Sequence, residues 1–280
     1  MSNSTHQKMA GAAIGALLAS LATAHATFAQ RVVYAGALQF ATGDYIFADR
    51  TNSAFLLNGL TLYAGSARLY AGLPVIYQNT SVLSQSGPGM IPTGEMGESG
   101  MNGGMHGGDM HSSGALHDHQ LALGDPLLRA DVDVVKTRPG LSALSLTGLV
   151  KAPVADPDRG LGTGEWDYGV GLSIAHSIRR NALFASAVYW IMGDPTGVDF
   201  ENPVVYSVSL GRPFSDGKVS ALLTFSGNTQ VMADLDPLRQ LGIAVSYWAT
   251  PVRYINGSMF FGLSESAPDV GISIGWGITL

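Results

Sequence analysis

The chain has 280 residues, of which 46% are hydrophobic and only 13% charged, with a net charge of −6. Soluble domains carry roughly 25% charged residues, so the charge content is about half the usual value. Past the N-terminus no stretch stays apolar and uncharged for the ~20 residues of a spanning helix. The 36 glycines and 13 prolines would interrupt long helices and lack collagen's period. These numbers exclude an all-helical membrane protein, a coiled coil and a charged disordered chain. The lack of cysteine removes disulfides, thiolate metal sites and cysteine nucleophiles. No basic stripe marks a nucleic-acid partner. Low charge without long apolar runs suits a membrane β-barrel, whose residues alternate between lipid and lumen.

Residues 1–29 read as an export signal: a polar start ending in Lys8, an alanine-rich apolar stretch from Met9 to Ala22, then small residues. Cleavage after Ala24, Ala26 or Ala29 fits, with Ala29 favoured. The mature part, 30–280, is then exported from a bacterial cytoplasm.

From there the period is two. Ile272, Ile274, Trp276, Ile278 and Leu280 alternate with Gly271, Ser273, Gly275, Gly277 and Thr279. Successive strand side chains point to opposite faces, so one face is apolar and the other small or hydroxylated. A full pass yields about twelve segments of the ~10-residue alternation of transmembrane strands: 32–41, 54–64, 67–78, 125–136, 141–152, 166–178, 181–192, 203–212, 217–226, 240–249, 252–263 and 270–280. Joints near 65–66, 137–140, 179–180, 213–216 and 250–251 are short, and those between them are long. Outer-membrane barrels have short periplasmic turns and long outside loops, so all short joints fall on one side. The expected fold class is therefore all-β: an antiparallel up-and-down transmembrane barrel. A soluble sandwich or lipocalin-like barrel shares the alternation but turns its apolar face inward. The strand number, a polar face of glycine and serine instead of lysine and glutamate, and the final strand favour the membrane form. Tyr77, Tyr168, Trp190, Tyr247 and Trp248 are expected in interfacial girdles.

Lys151-Ala152-Pro153, the run from Asp156 through Gly160-Leu161-Gly162-Thr163-Gly164 to Glu165, and Trp166-Asp167-Tyr168 form a distinctive order. With Gly43-Asp44-Tyr45, Leu73-Pro74-Val75, Leu123-Gly124-Asp125 and the stretch Gly262 to Gly271, the chain resembles the outer-membrane β-barrel family of the meta-pathway of phenol degradation. The resemblance covers 43–280 and implies an outer-membrane barrel that passes small, including aromatic or hydrophobic, molecules. Its partners would be outer-membrane lipid, the outer-membrane assembly machinery and a small-molecule solute. Taken physically, the Gly-Leu-Gly-Thr-Gly run is a turn-prone rim loop folding over the barrel mouth. It lacks the lysine of a phosphate-binding loop, which argues against nucleotide binding.

In strand 125–136, Arg129, Asp131 and Asp133 share one face, and Arg68 and Lys151 fall on inner faces too. Charge at mid-strand is costly toward lipid, so these five are candidate lumen or pore residues. They either line a narrow channel or plug it. Eight-stranded barrels are filled by side chains and sixteen-stranded ones leave a channel, so twelve strands leave conduction open.

Residues 79–124 read as a long extracellular loop rich in glycine, methionine and histidine. Met101, Met105, His106, Met110, His111, His117 and His119 are candidate metal ligands. Thioethers are soft ligands suited to Cu(I), and imidazole suits copper and zinc. Copper is the candidate ion; no cofactor is required. A disordered loop of drifted composition is the plainer alternative. His176 is the only histidine in a strand, is expected to face lipid near the periplasmic end, and has no Gly-x-Ser-x-Gly elbow to serve. The expectation is no enzyme: a channel or transporter-like barrel, or alternatively a surface copper-binding protein anchored by the barrel.

Overall fold

A computed structural model describes residues 31–45, 50–79, 83–92, 120–135, 142–157, 161–195, 197–233 and 235–280. The seven candidate metal ligands lie outside these residues, as does the export signal.

Alternating sequence becomes strand throughout. The strands are β1 (Arg31–Gly43), β2 (Thr51–Ala64), β3 (Ala67–Gln78), β4 (Leu83–Ser86), β5 (Gly89–Pro92), β6 (Gln120–Leu123), β7 (Leu127–Val135), β8 (Ala143–Lys151), β9 (Asp167–Ile178), β10 (Asn181–Ile191), β11 (Val204–Phe214), β12 (Val219–Asn228), β13 (Arg239–Thr250), β14 (Arg253–Gly262) and β15 (Val270–Thr279). Each wall strand pairs antiparallel with its neighbours in chain order. β1 pairs with both β2 and β15, so the sheet closes on itself. With β6 and β7 counted as one interrupted strand, this is a closed barrel of twelve strands. Closure removes the exposed edges that an open sheet presents.

The interruption has a local cause. Leu123 pairs with Val75 and Leu127 with Gly72, so Gly124, Asp125 and Pro126 face only Leu73 and Pro74. This is a β-bulge, in which the surplus residue bends the strand and re-aims a side chain. Pro74, which has no N–H to give a ladder, sits at that gap, and its carbonyl accepts from the Gly124 N–H at 2.9 Å. Pro213 is tolerated for a related reason. It lies past the last β10 pair, Ala182 with Gly211, while still pairing with Ser220 of β12. β11 therefore runs two residues beyond the expected 212, and the turn moves to Ser215–Lys218.

Register sorts every side chain. Leu38, Phe40, Leu56, Leu60, Leu172, Ile174, Val208, Leu210, Ile243, Val245, Ile272 and Ile274 all point outward and are exposed, Ile274 at 68%. Ser145, Thr147, Ser186, Ser207, Ser209, Thr224, Ser226, Ser258 and Ser273 point inward. A soluble barrel would reverse this, because water does not tolerate a continuous apolar belt. A polar pair on the outer face satisfies itself: the Tyr34 hydroxyl donates to Asn58 Oδ1 at 2.8 Å.

The connections at 65–66, 179–180, 215–218 and 251–252 crowd one end, together with Arg31 and Leu280. The described parts of the long ones, 152–157 and 161–166, 192–195 and 197–203, 229–233 and 235–238, and 263–269, crowd the other. Tyr77, Tyr168 and Tyr247 face outward as a girdle requires. Trp190 and Trp248 do not. Trp190 pairs with Gly169 on the inner face and is 3% exposed, and Trp248 faces inward against Tyr254, ring centroids 4.9 Å apart. Alternation places Trp190 inside because β10 starts at Asn181, and its ring then joins the interior packing.

Candidate functional site

The lumen is unequal along its axis. At the long-loop end it is filled by chain that the sequence assigns to an outside loop. β4 and β5 form a hairpin about Gly87 and Pro88, with Leu83 paired to Pro92. Ile91 of this hairpin meets Leu149 and Trp190 of the wall, Met192 and Phe200 of one loop, and Val231, Met232 and Leu235 of another. A second cluster joins Phe55, Ile76, Ala155 and Leu161. Leu161 belongs to the Gly-Leu-Gly-Thr-Gly run, and its full burial shows that this segment folds into the mouth as well as over it. The two loops are also tied through backbone, Glu201 N–H to Val231 O at 2.7 Å.

Polar ties hold this plug. The bulge turns Asp125 inward, where Oδ1 accepts from the Val154 and Ala155 amides, both at 2.8 Å. Its Oδ2 accepts from Lys151 Nζ at 2.8 Å. Lys151 also donates to Thr163 Oγ1 at 3.0 Å and stands 3.2 Å from Asp167 Oδ2. Three acceptors match the three donors of an ammonium. Asp167 in turn accepts the Gly87 amide of the hairpin turn at 2.7 Å and the Gly193 amide of the next loop at 3.0 Å. Gln85 completes the hold by exchanging two bonds with the Asp125 backbone, at 2.7 and 3.3 Å. A Cβ on Gly87 would overlap the Trp190 ring, so only glycine lets the hairpin lie this close.

Below the plug the wall charges are paired. Arg129 donates to Asp131 through Nε at 2.9 Å and Nη2 at 2.8 Å, and Thr147 Oγ1 donates to the same carboxylate at 2.6 Å. Arg68 Nη2 donates to Asp133 Oδ1 at 3.1 Å, where Ser145 Oγ also donates at 2.7 Å. The structure thus puts all five candidate residues on the inner face but divides them. Arg68, Arg129, Asp131 and Asp133 form two ion pairs beside open lumen. Lys151, 1% exposed, lies under the plug.

Among the described residues, the lumen also holds two cavities with no charged residue on their lining. One of about 340 Å³ lies between the hairpin and the wall and includes Gln39, Ala41, Phe55, Met90, Gln240 and Phe260. One of about 220 Å³ includes Ala35, Ala37, Leu57, Tyr70, Tyr254 and Asn256. Both run along β1 and β14, one above the other, with Gln39 and Ala37 as successive inward residues. The Tyr70 ring lies over Gly59 and Gly72, and the Phe260 ring over Gly271, where a Cβ would collide. These inward glycines leave room for rings laid flat on the wall.

Sequence reasoning missed the plug hairpin, Gln85 and Asp125. The Leu123-Gly124-Asp125-Pro126 and Leu73-Pro74-Val75 stretches carried the available signal, since a proline opposite a Gly-x-Pro segment marks a ladder gap. His176 faces outward, as expected, with Nδ1 at 3.0 Å from Ser142 Oγ.

The architecture defines the class: a closed antiparallel twelve-stranded barrel of the outer-membrane type. The chain is similar to the COG4313 outer membrane channel from Pseudomonas putida F1, with 12% identity, a TM-score of 0.65, and coverage of 91% of this chain and 97% of that one. It is also similar to the KdgM porin, with 5% identity, a TM-score of 0.51, and coverage of 88% and 99%. At these identities the likeness is one of fold. No family model and no curated protein matches the sequence.

Proposed function

We propose that the protein is a channel-like barrel of the bacterial outer membrane that passes or takes up small molecules. Uncharged aromatic or hydrophobic molecules are the favoured solutes, in line with the sequence's resemblance to the phenol meta-pathway family. The carrying observation is the pair of stacked cavities along β1 and β14, whose described lining residues are uncharged, beside a plug held in place by hydrogen bonds. The polar lumen and apolar belt suit a protein with lipid outside and solute inside. The similar folds of the Pseudomonas channel and the KdgM porin agree with this reading. An export signal cleaved within 24–29 and insertion by the assembly machinery complete it.

The test is a reconstituted membrane. Small, infrequent current steps in planar bilayers and permeation of single-ring solutes into liposomes are expected. Neither current nor permeation from protein that shows the heat-dependent gel shift of a folded barrel would overturn the proposal. Copper capture by Met101, Met105, His106, Met110, His111, His117 and His119 is a separate reading resting on donor chemistry. The tract leaves the plug hairpin at Pro92 and rejoins the wall at Gln120. Cu(I) titration of the intact protein, against a form with the tract methionines changed to leucine, decides it.

A further inference from the structure

We infer that the upper lumen cavity is a binding site for one small uncharged amphiphile, recognised by the side-chain amides of Gln39 and Gln240 between the rings of Phe55 and Phe260. The inference deepens the channel reading and rests on it.

The cavity has about 340 Å³, at the lower end of the range for small-molecule sites, roughly 300–1,000 Å³. That suits a single ring with a short substituent. Its walls are of two kinds. Phe55, 7% exposed, and Phe260, flattened onto Gly271, supply apolar surface, and Met90 and Ile91 of the hairpin add to it. Methionine is unbranched and adapts to irregular shapes.

The polar part is specific. The Gln39 amide has no hydrogen-bond partner among the described residues. Gln240 uses one donor on Ser226 Oγ at 3.2 Å and keeps its carbonyl. Gln39 therefore brings a donor group and an acceptor, and Gln240 a further acceptor, to the same space from β1 and β13, where Tyr45, Ser226 and Asn228 also lie on the lining. An amide inside an apolar enclosure gains most from a ligand that completes its hydrogen bonds.

Among the described residues, no charged one lines the cavity. The lumen charges of β3 and β7 are already paired with one another, and Lys151 of β8 with Asp125 and Asp167. A charged ligand would leave water without a counter-charge, which is costly, whereas a neutral one would not.

The experiment uses the full chain in detergent micelles with three probes that differ in charge and hardly in shape: benzamide, benzamidinium and benzoate. Saturable binding is followed by isothermal titration and saturation-transfer NMR, with empty micelles subtracted. Benzamide is expected to bind once per chain, with each charged analogue weaker by about tenfold or more. Replacing both glutamines, Gln39→Leu with Gln240→Leu, should weaken benzamide by about fivefold while the heat-dependent gel shift of the barrel is kept. Gln39→Glu should instead raise benzamidinium affinity, a gain that a misfolded variant would not show. Equal binding of the three probes, binding indifferent to the glutamines, or uptake by empty micelles only would overturn the site. Permeation of benzamide into liposomes without glutamine-dependent binding overturns the site and leaves the channel reading standing. Glutamine-dependent binding without permeation supports the site and overturns the channel.

Discussion

Lys151 donates to Asp125 across 2.8 Å with both side chains almost wholly removed from solvent, at 1% and 0% exposure. Because Asp167 and Thr163 share the same ammonium, this contact joins three loops and the wall at one point. Lys151→Met would leave two buried carboxylates without their cation. Breaking a buried pair by removing one partner costs about 3–5 kcal/mol. The expected outcome is a marked drop in the temperature of the gel-mobility shift. Arg50→Ala, which removes the exposed pairs to Asp44 and Asp269, should change it little, since exposed pairs contribute ~0–1 kcal/mol.

The hairpin is held to the wall at Gln85 and at Gly87, and neither contact is part of the barrel ladder. Gln85→Leu deletes two hydrogen bonds and leaves the Asp125 amide and carbonyl to find others, a cost of about 1–3 kcal/mol falling on the plug. Gly87→Val forces the turn off Trp190. Both variants should form barrels with an unchanged gel shift, pass larger unitary currents, and lose near-ultraviolet dichroism from the displaced indole. Unchanged current from both would show that the hairpin does not obstruct the lumen.

Arg129 is 40% exposed at its side chain and faces the lumen below the plug. Arg129→Ala leaves the Asp131 carboxylate with Thr147 and adds one uncompensated negative charge to that wall. Electrostatic fields in a low-dielectric channel select ions by sign. The variant's reversal potential in a salt gradient should shift toward cation selectivity, and restoring the charge with lysine should reverse most of the shift.

Tyr45, at the β1–β2 connection, is buried, and that burial pushes its phenol above the ordinary value of 10.0, with Asp269 adding to the effect. A folded-state value above the unfolded one gives stability that is complete below the unfolded value and lost as pH rises through the folded one. Barrel stability should therefore fall above about pH 10. Tyr45→Phe should flatten that part of the profile, read as the gel-shift temperature between pH 9 and 12.

The wall was legible because lipid and water impose a two-residue period on every strand. Arg68, Arg129, Asp131 and Asp133 could be placed inward from neighbouring residues alone, since charge cannot face hydrocarbon. Their pairing could not: Arg129 meets Asp131 on its own strand, but Arg68 meets Asp133 only through the register of β3 with β7. Trp190 shows the limit of pattern reading. An aromatic near a strand end fits a girdle or a core equally, and the hairpin pressed against it decides between them.

The amino-acid order by itself determined the barrel, its strand boundaries to within a few residues, and which end gathers the long connections. Each follows from a local rule: apolar outside, small or hydroxylated inside, turns between. Only the tertiary structure decided that part of the expected outside loop folds inward as a hairpin, and that Asp125, Lys151 and Asp167 converge to hold it. It also decided that the two lumen cavities lie along β1 and β14, lined by uncharged described residues. Those contacts join residues 16 to 80 positions apart, and no period in the chain encodes a meeting that only closure of the sheet brings about.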